Sequence, residues 1–203
     1  MKIYFSPASP FVRKCMVVAH ELGLESRIEK LPSAAGPVNR DRTIIPSNPL
    51  GQVPTFFTDD GQVLYDSRVV CEYLNELGGG DLIPREGSRK WLALTEQSLA
   101  DGILDAALLS RYEQALRPAE FRWDSWVGGQ MDKVKCGLDH FEAGMAGARA
   151  QAIDIGTLTL ACALGYLDFR FADLGWREGR PVLAAWFKEM SERPSIKATA
   201  PQA

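Results

Sequence analysis

The chain changes character at one place. Gly78-Gly79-Gly80 is its clearest break in composition. Three consecutive glycines permit almost any backbone angle, and the reading at this point is a linker. Before it, strand-like and helix-like periods alternate; after about Ser88 the pattern is helical throughout. Such a chain is expected to fold as a small α/β domain followed by an all-helical one. The boundaries are residues 1–77, a linker at 78–87 and a helical domain at 88–203, and the 203 residues suffice to bury a real core.

In the first part, Lys2–Ser6 alternates as a short strand with Ile3 and Phe5 on one face. Ser9-Pro10 then opens a helix, Ser as N-cap and Pro at the first helical position. Val12, Cys15, Met16, Ala19 and Leu22 form its apolar face and Gly23 stops it. Arg27–Leu31 is a second strand. The stretch from Pro32 to Pro49, which also contains Pro37 and Pro46, reads as loop. Thr55–Thr58 and Gln62–Tyr65 flank an Asp59-Asp60-Gly61 turn, a hairpin signal. Ser67–Leu77 is a helix, with Val70, Leu74 and Leu77 on one side. The predicted arrangement is a small mixed sheet with helices packed on it.

The second part predicts helices from Trp91 towards Leu116, from Asp124 to Met145, from near Ile153 through Phe169, and over Val182–Arg193, stopping at Pro194. The last residues, Ala198 to Ala203, are expected to fray.

Composition narrows the function. With 46% hydrophobic and 24% charged residues the chain has the mix of an ordinary soluble globular protein. Residues 1–80 hold 8 basic and 9 acidic side chains and the rest 15 and 17, so neither part carries the basic footprint of a nucleic-acid or anionic-membrane binder. No apolar run is long enough to span a bilayer. Met1-Lys2-Ile3-Tyr4-Phe5 has no signal-peptide pattern. Cys15, Cys71, Cys136 and Cys162 form no CxxC pair, and His20 and His140 lie far apart, so no metal site is expected. The four thiols are read as buried and reduced in a cytoplasmic protein. No G-x-S-x-G elbow of a serine hydrolase is present.

Three segments carry the chemistry: Ser9-Pro10-Phe11-Val12-Arg13-Lys14, Asn48-Pro49-Leu50-Gly51-Gln52-Val53-Pro54, and Tyr65-Asp66-Ser67. From the residues alone, Ser9 is either a plain helix cap or a hydroxyl placed where unpaired backbone N–H groups and the helix dipole favour an anion. Asp66-Ser67 has the same two readings, cap or carboxylate site. Val53-Pro54 is either a strand-start proline or a turn that exposes a backbone edge.

With their order and spacing, these segments resemble the cytosolic glutathione S-transferase superfamily, in particular bacterial members close to its serine-type classes. Leu99–Ala107 and Ala161–Phe169 extend the resemblance over almost the whole chain. It implies a thioredoxin-like α/β N-terminal domain that binds glutathione and an all-α C-terminal domain that supplies the electrophile pocket. It also implies a homodimer and a small-molecule electrophile as second substrate.

By resemblance, Ser9 is catalytic and stabilises the glutathione thiolate, which is the nucleophile. Phe11, Gln52, Val53, Pro54, Asp66 and Ser67 complete the glutathione site. The proline is cis in such folds, Val53 pairs its backbone with the cysteinyl part, and Gln52 meets the glycyl end. Ser67 takes the γ-glutamyl carboxylate and Asp66 the γ-glutamyl ammonium. The family's commoner pair is Glu-Ser, and Asp66 is one methylene shorter. Phe11, Leu108, Tyr112, Tyr166 and Phe169 are implied for the electrophile pocket.

Serine rather than cysteine at position 9 favours transfer to an electrophile over thiol–disulfide exchange, and Cys15 is read as core. An isomerase or dehalogenase would use the same site. A non-catalytic module of this family would be expected to have lost these contacts. Relatives carry a capping motif near Asp154-Ile155-Gly156-Thr157, where the Asp and Thr are interchanged here. Asp154 is expected to cap with an altered reciprocal box.

Overall fold

The structure is a computed structural model and describes residues 1–202. It divides into two compact units. One is Met1–Arg85 together with the C-terminal stretch from Pro194; the other is Glu86–Arg193.

The first unit starts with strand β1 (Lys2–Phe5), helix α1 (Pro10–Glu21) and strand β2 (Glu29–Pro32), followed by β3 (Phe56–Phe57), β4 (Val63–Leu64) and helix α2 (Ser67–Leu77). The strand order is β2-β1-β3-β4. β1 runs parallel to β2, with Ile3 opposite Lys30, and antiparallel to β3, with Ile3 opposite Phe56. β3 and β4 form the hairpin, its turn closed by Gly61 N–H donating to Thr58 O at 3.2 Å. The core joins Ile3 and Phe56 to Val12, Cys15 and Val18 of α1 and Val70 and Leu74 of α2, all fully buried. The second strand starts two residues later than expected, because Glu25–Arg27 form a turn of 3₁₀ helix.

The triglycine segment is an ordered helix end. Gly78 N–H donates to Leu74 O and Gly80 N–H to Asn75 O, both at 2.9 Å, with Gly79 in the left-handed region at φ 61°. The Asn75 side chain takes the N–H groups of Leu82 and Ile83, which are buried. A Cβ on Gly80 would collide with Leu22. Close packing at Gly80 and a C-terminal cap at Gly78–Gly79 thus use these glycines, at the start of the segment expected as a linker over 78–87.

The C-terminus also departs from expectation. Pro194 opens a further short helix, Pro194–Ala198, which belongs to the first unit and not to the helical one. Arg13 Nη2 donates to Ile196 O at 3.1 Å, and the Ser195 hydroxyl donates to the Glu21 carboxylate. Gln202 N–H donates to Pro7 O at 3.3 Å, so the stretch read as frayed is tied down through residue 202; Ala203 lies outside the described residues.

The second unit is built from α3 (Gly87–Ala115), α4 (Asp124–Gly144), α5 (Ala148–Gln151), α6 (Ile155–Arg170) and α7 (Pro181–Ser191). α3 packs along both α4 and α6, and α7 lies against α4 and α6. Asp154 and Thr157 close a full capping box, contrary to the altered one expected. Asp154 Oδ1 accepts from Gly156 and Thr157 N–H at 3.0 and 3.1 Å, and the Thr157 hydroxyl accepts from Asp154 N–H at 3.1 Å. A threonine at the third helical position reaches back as well as a glutamate does elsewhere.

The same Asp154 accepts from Arg149 Nη1 at 2.6 Å, and Arg149 Nε donates to Glu96 at 3.0 Å. One nearly buried guanidinium therefore joins α3, α5 and the start of α6. Its two carboxylate partners hold its pKa above the ordinary arginine value despite the cost of desolvation. Three of the four cysteines, Cys15, Cys71 and Cys162, are buried as expected; Cys136, on α4, is exposed.

α6 approaches α3 so closely that a Cβ on Gly156 would stand 2.9 Å from Ala93 O and from Glu96 Cβ. Backbone oxygen cannot move aside, so Gly156→Ala should lower the unfolding free energy by about 1–3 kcal/mol. Gly128 is exposed inside α4 with open space around it. Gly128→Ala should raise stability by roughly 0.5–1 kcal/mol. Urea denaturation of the two variants reads both signs.

Candidate functional site

The sheet register brings the three sequence segments of the first unit to one end of the sheet. β1 leads through Ser6–Ala8 into Ser9, and Tyr4 N–H donates to Thr55 O at 2.9 Å. Pro54 and Val53 therefore continue beside the end of β1. Leu64 pairs with Phe56, so Tyr65-Asp66 leaves the sheet at that same end. Cys15 Sγ lies 3.8 Å from Ser67 O and ties α1 to the start of α2.

Each segment presents backbone groups without partners. Ser9 caps α1: its Oγ accepts from Val12 N–H at 3.3 Å. α1 carries no acidic residue at its cap or in its first turn, so no side chain there supplies the anion that a helix N-terminus favours. Asp66 caps α2 by accepting from Arg68 N–H at 2.9 Å. Asp66 is exposed, Ser67 is buried, and the Ser67 hydroxyl makes no hydrogen bond among the described residues. The Val53–Pro54 peptide is cis, as is Tyr65–Asp66. Val53 N–H and C=O both lack a hydrogen-bond partner among the described residues. Gln52 is exposed and Phe11 half-buried.

What holds the turn in this form was not legible as a site feature. Asn48, almost fully buried, donates from Nδ2 to Thr55 Oγ1 at 2.9 Å and to Gln52 O at 3.4 Å, and its Oδ1 accepts from Leu50 N–H at 3.0 Å. The Thr55 hydroxyl donates to Gln52 O at 2.7 Å. Asn48 at the head of Asn-Pro-Leu-Gly is a turn signal that could have pointed to this clamp. Arg13 and Lys14 were missed too. Both are buried inside α1, although the periodic apolar face left them out. Arg13 Nε and Nη1 have no hydrogen-bond partner among the described residues.

The helical unit gathers a second group. Leu108 and Tyr112, two of the expected pocket residues, lie one turn apart on α3, and Tyr166 stands on α6, which packs along α3. Tyr166 is buried, and desolvation pushes its phenol up to about 12. Burial raises Tyr112 as well. Phe169 is half-buried under the Arg170 guanidinium, 3.9 Å from the ring centre. Phe11 belongs to the other unit. No helix among the described residues is long and apolar enough to cross a membrane.

Comparison with known proteins agrees with this geometry. Residues 8–77 match the family model for the glutathione S-transferase N-terminal domain, and residues 106–189 that for the C-terminal domain. The chain is 33% identical to the uncharacterized GST-like protein YibF of Escherichia coli K12, over 99% of this chain and 98% of that one.

Among solved structures, a glutathione transferase family member from Pseudomonas fluorescens Pf-5 with bound glutathione superposes with a TM-score of 0.94. It is 47% identical and is covered to 99% by all of this chain. A structure from the same source with bound S-(propanoic acid)-glutathione gives 0.92 at 48% identity, with both chains fully covered. The fold is that of these proteins, and the chain belongs to the glutathione S-transferase family.

The Asn48 clamp makes a measurable demand on stability. Asn48→Ala takes the Asn48 partner from the Leu50 N–H and the Thr55 hydroxyl oxygen, and should lower the unfolding free energy by about 1–3 kcal/mol. Because Thr55 shares the network, Asn48→Ala combined with Thr55→Val should cost less than the sum of the single changes. Denaturant unfolding of the two single variants and the double variant checks this.

Proposed function

We propose that the chain is a serine-type glutathione transferase, joining the glutathione sulfur to small electrophiles in the cytoplasm without a metal. The observation that carries this reading is the set of backbone groups left open at one end of the sheet: the first turns of α1 and α2 and both polar groups of Val53. An extended peptide with an anionic sulfur and a carboxylate matches such a set. Val53 pairs with the cysteinyl unit as a strand edge would. The Ser67 hydroxyl and the α2 N-terminus take the γ-glutamyl carboxylate. Asp66 faces the γ-glutamyl ammonium, Gln52 the glycyl end, and Phe11 and Pro54 supply apolar walls.

Ser9 has the catalytic part. Its Oγ already accepts from Val12 N–H, which leaves its own proton free to donate. Donation to the sulfur, together with the α1 N-terminus, favours thiolate over thiol and lowers the thiol pKa. The thiol gives its proton to water. The sulfur pair then forms a C–S bond, and the leaving group departs with its electron pair or, in an addition, the π pair moves to the neighbouring carbon and takes a proton. The product is a thioether of glutathione, the form of ligand that one relative holds. Leu108, Tyr112, Tyr166 and Phe11 are proposed to line the electrophile pocket.

We extend the proposal to a homodimer. An open groove of about 570 Å³ on the helical unit is lined by Leu94, Leu99, Ile103 and Lys133 among others. The exposed Trp91 and Leu92 stand on the same helix, and a second copy would cover this face.

Ser9→Ala should bind glutathione but lose conjugation kcat/KM at neutral pH on the order of a hundredfold. The rise of rate with pH should move to higher pH, since the wild-type thiol ionises at lower pH. Full turnover in Ser9→Ala, or no glutathione binding at millimolar concentration in the wild type, would overturn the reading. Sedimentation should give twice the 22.4 kDa chain mass, and Leu99→Arg should give the single-chain mass.

A further inference from the structure

We infer that residues 194–202 form a strap that positions Ser9 for the thiolate, with the Gln202 main chain as its last fastening. Resting on the transferase reading, this gives the Ser9 site a positioning element from the far end of the sequence.

The helical unit ends at Arg193, and the chain then returns to the first unit. There it follows α1 from the end of that helix towards its start. The Ser195 hydroxyl donates to the carboxylate of Glu21, the last residue of α1. Ile196 O accepts from Arg13 Nη2 at 3.1 Å, early in the helix. Gln202 N–H donates to Pro7 O at 3.3 Å, ahead of the helix. The 12 residues of α1, a length of about 18 Å, are spanned by three contacts taken in order.

The strap is packed and internally bonded. Ser195, Ile196 and Arg13 are buried. The Thr199 hydroxyl donates to Ser195 O at 2.7 Å, and Ala200 N–H donates to Lys197 O at 3.2 Å. Ordering a chain end costs conformational entropy, so such residues stay loose unless they are tied down. Burial of Ile196 accounts for the first half of the strap. The second half continues past that anchor, and what it reaches is the loop that leads into Ser9.

That loop has little else to hold it. Ser6–Ala8 lie between β1 and α1. Ser9 N–H donates to Ser6 O at 3.1 Å, which closes the turn on itself. Pro7 has no N–H to give. Among the described residues, the Gln202 N–H is the one hydrogen-bond donor that ties Ser6–Ala8 to a distant part of the chain.

Ser9 is therefore held from two sides. On the helix side its carbonyl accepts from Arg13 N–H at 3.0 Å and its hydroxyl from Val12 N–H at 3.3 Å. Arg13 joins this hold to the strap, since its main chain bonds Ser9 and its side chain bonds Ile196. On the loop side the hold passes through Pro7, two residues before Ser9. Loop and helix together set the backbone angles of Ser9, and with them the direction of its O–H. A loop released at Pro7 lets that O–H sample other directions. Hydrogen bonds weaken steeply on misalignment, and a donor that must reorganise stabilises a charge less than one already aimed at it. The strap acts on the thiolate through Ser9 and does not touch it, so Gln202 is a positioning residue. The strap makes no hydrogen bond to Val53, Asp66 or Ser67 among the described residues, so the contacts proposed to bind the rest of glutathione do not depend on it.

The test uses Gln202→Pro, which removes the N–H and keeps the chain length, and Gln202→Ala, which keeps the N–H. A chain ending at Ala200 removes the same contact by a second route. The ultraviolet absorbance of the bound glutathione thiolate is titrated against pH, and kcat and KM are measured for conjugation of an activated aryl chloride. Gln202→Pro and the shortened chain should ionise the bound thiol at higher pH than the wild type and lose kcat at neutral pH on the order of fivefold. Their KM for glutathione should stay close to that of the wild type, and Gln202→Ala should match the wild type throughout. In a Ser9→Ala background, Gln202→Pro should cause no further loss, because the strap works through the hydroxyl. A bound thiol that ionises at the wild-type pH in both Gln202→Pro and the shortened chain overturns the strap inference alone. So does an undiminished further loss in the Ser9→Ala background. A wild type that does not bind glutathione, or whose bound thiol ionises no lower than free glutathione, overturns the transferase reading and this inference with it.

Discussion

The geometry of the first unit depends on one buried side chain. The Asn48 amide has four hydrogen-bonding sites, and the fold uses three of them to draw Leu50, Gln52 and Thr55 together. With Gln52 O satisfied by Thr55 and Asn48, the next residue, Val53, is left with both backbone groups open. A turn without such a clamp would gain by folding those groups onto nearby backbone. The open edge is therefore maintained by satisfying everything around it. In a stable fold, leaving a polar group free for a ligand requires the neighbouring polar groups to be taken.

In the proposed reaction the two readings of Ser9 are one arrangement. A hydroxyl has two lone pairs and one proton. Capping uses a lone pair, through the Val12 N–H, and thiolate stabilisation uses the proton. The cap also fixes the direction in which the proton can point. Pro10 belongs to the same logic, because it starts the helix without a first N–H that would compete for the serine oxygen. Competition between cap and catalyst would arise only if both needed the same electrons.

What was legible in the sequence was local. Ser67–Leu77 was read at its observed bounds, since an Asp cap, an apolar stripe and a glycine stop all lie within a dozen residues. The Asp-Gly hairpin and the long α4 followed for the same reason. The misses were non-local. Pro194 looked like a stop, but the chain beyond it forms a helix whose partners, Arg13 and Glu21, stand at the other end of the sequence. The triglycine reads as a linker, and its packing against Leu22 and the Asn75 hydrogen bonds beyond it are set by residues outside it. The Asp154–Thr157 box departs from the family motif by residue name, whereas the requirement is only an acceptor at the cap and a second acceptor within reach.

The same distinction bears on the helical unit. Pocket candidates such as Leu108 and Tyr166 come from the family resemblance, which motifs carry and which is therefore readable. What packing decides is not readable in this way. Arg149 looks like an ordinary solvated charge in its own short helix, yet it is drawn out of water where Glu96 and Asp154 meet it, and the result is a joint between helices. Removing either carboxylate would leave a guanidinium short of its counter-charge in a nearly buried place, so the joint holds only as a set of three.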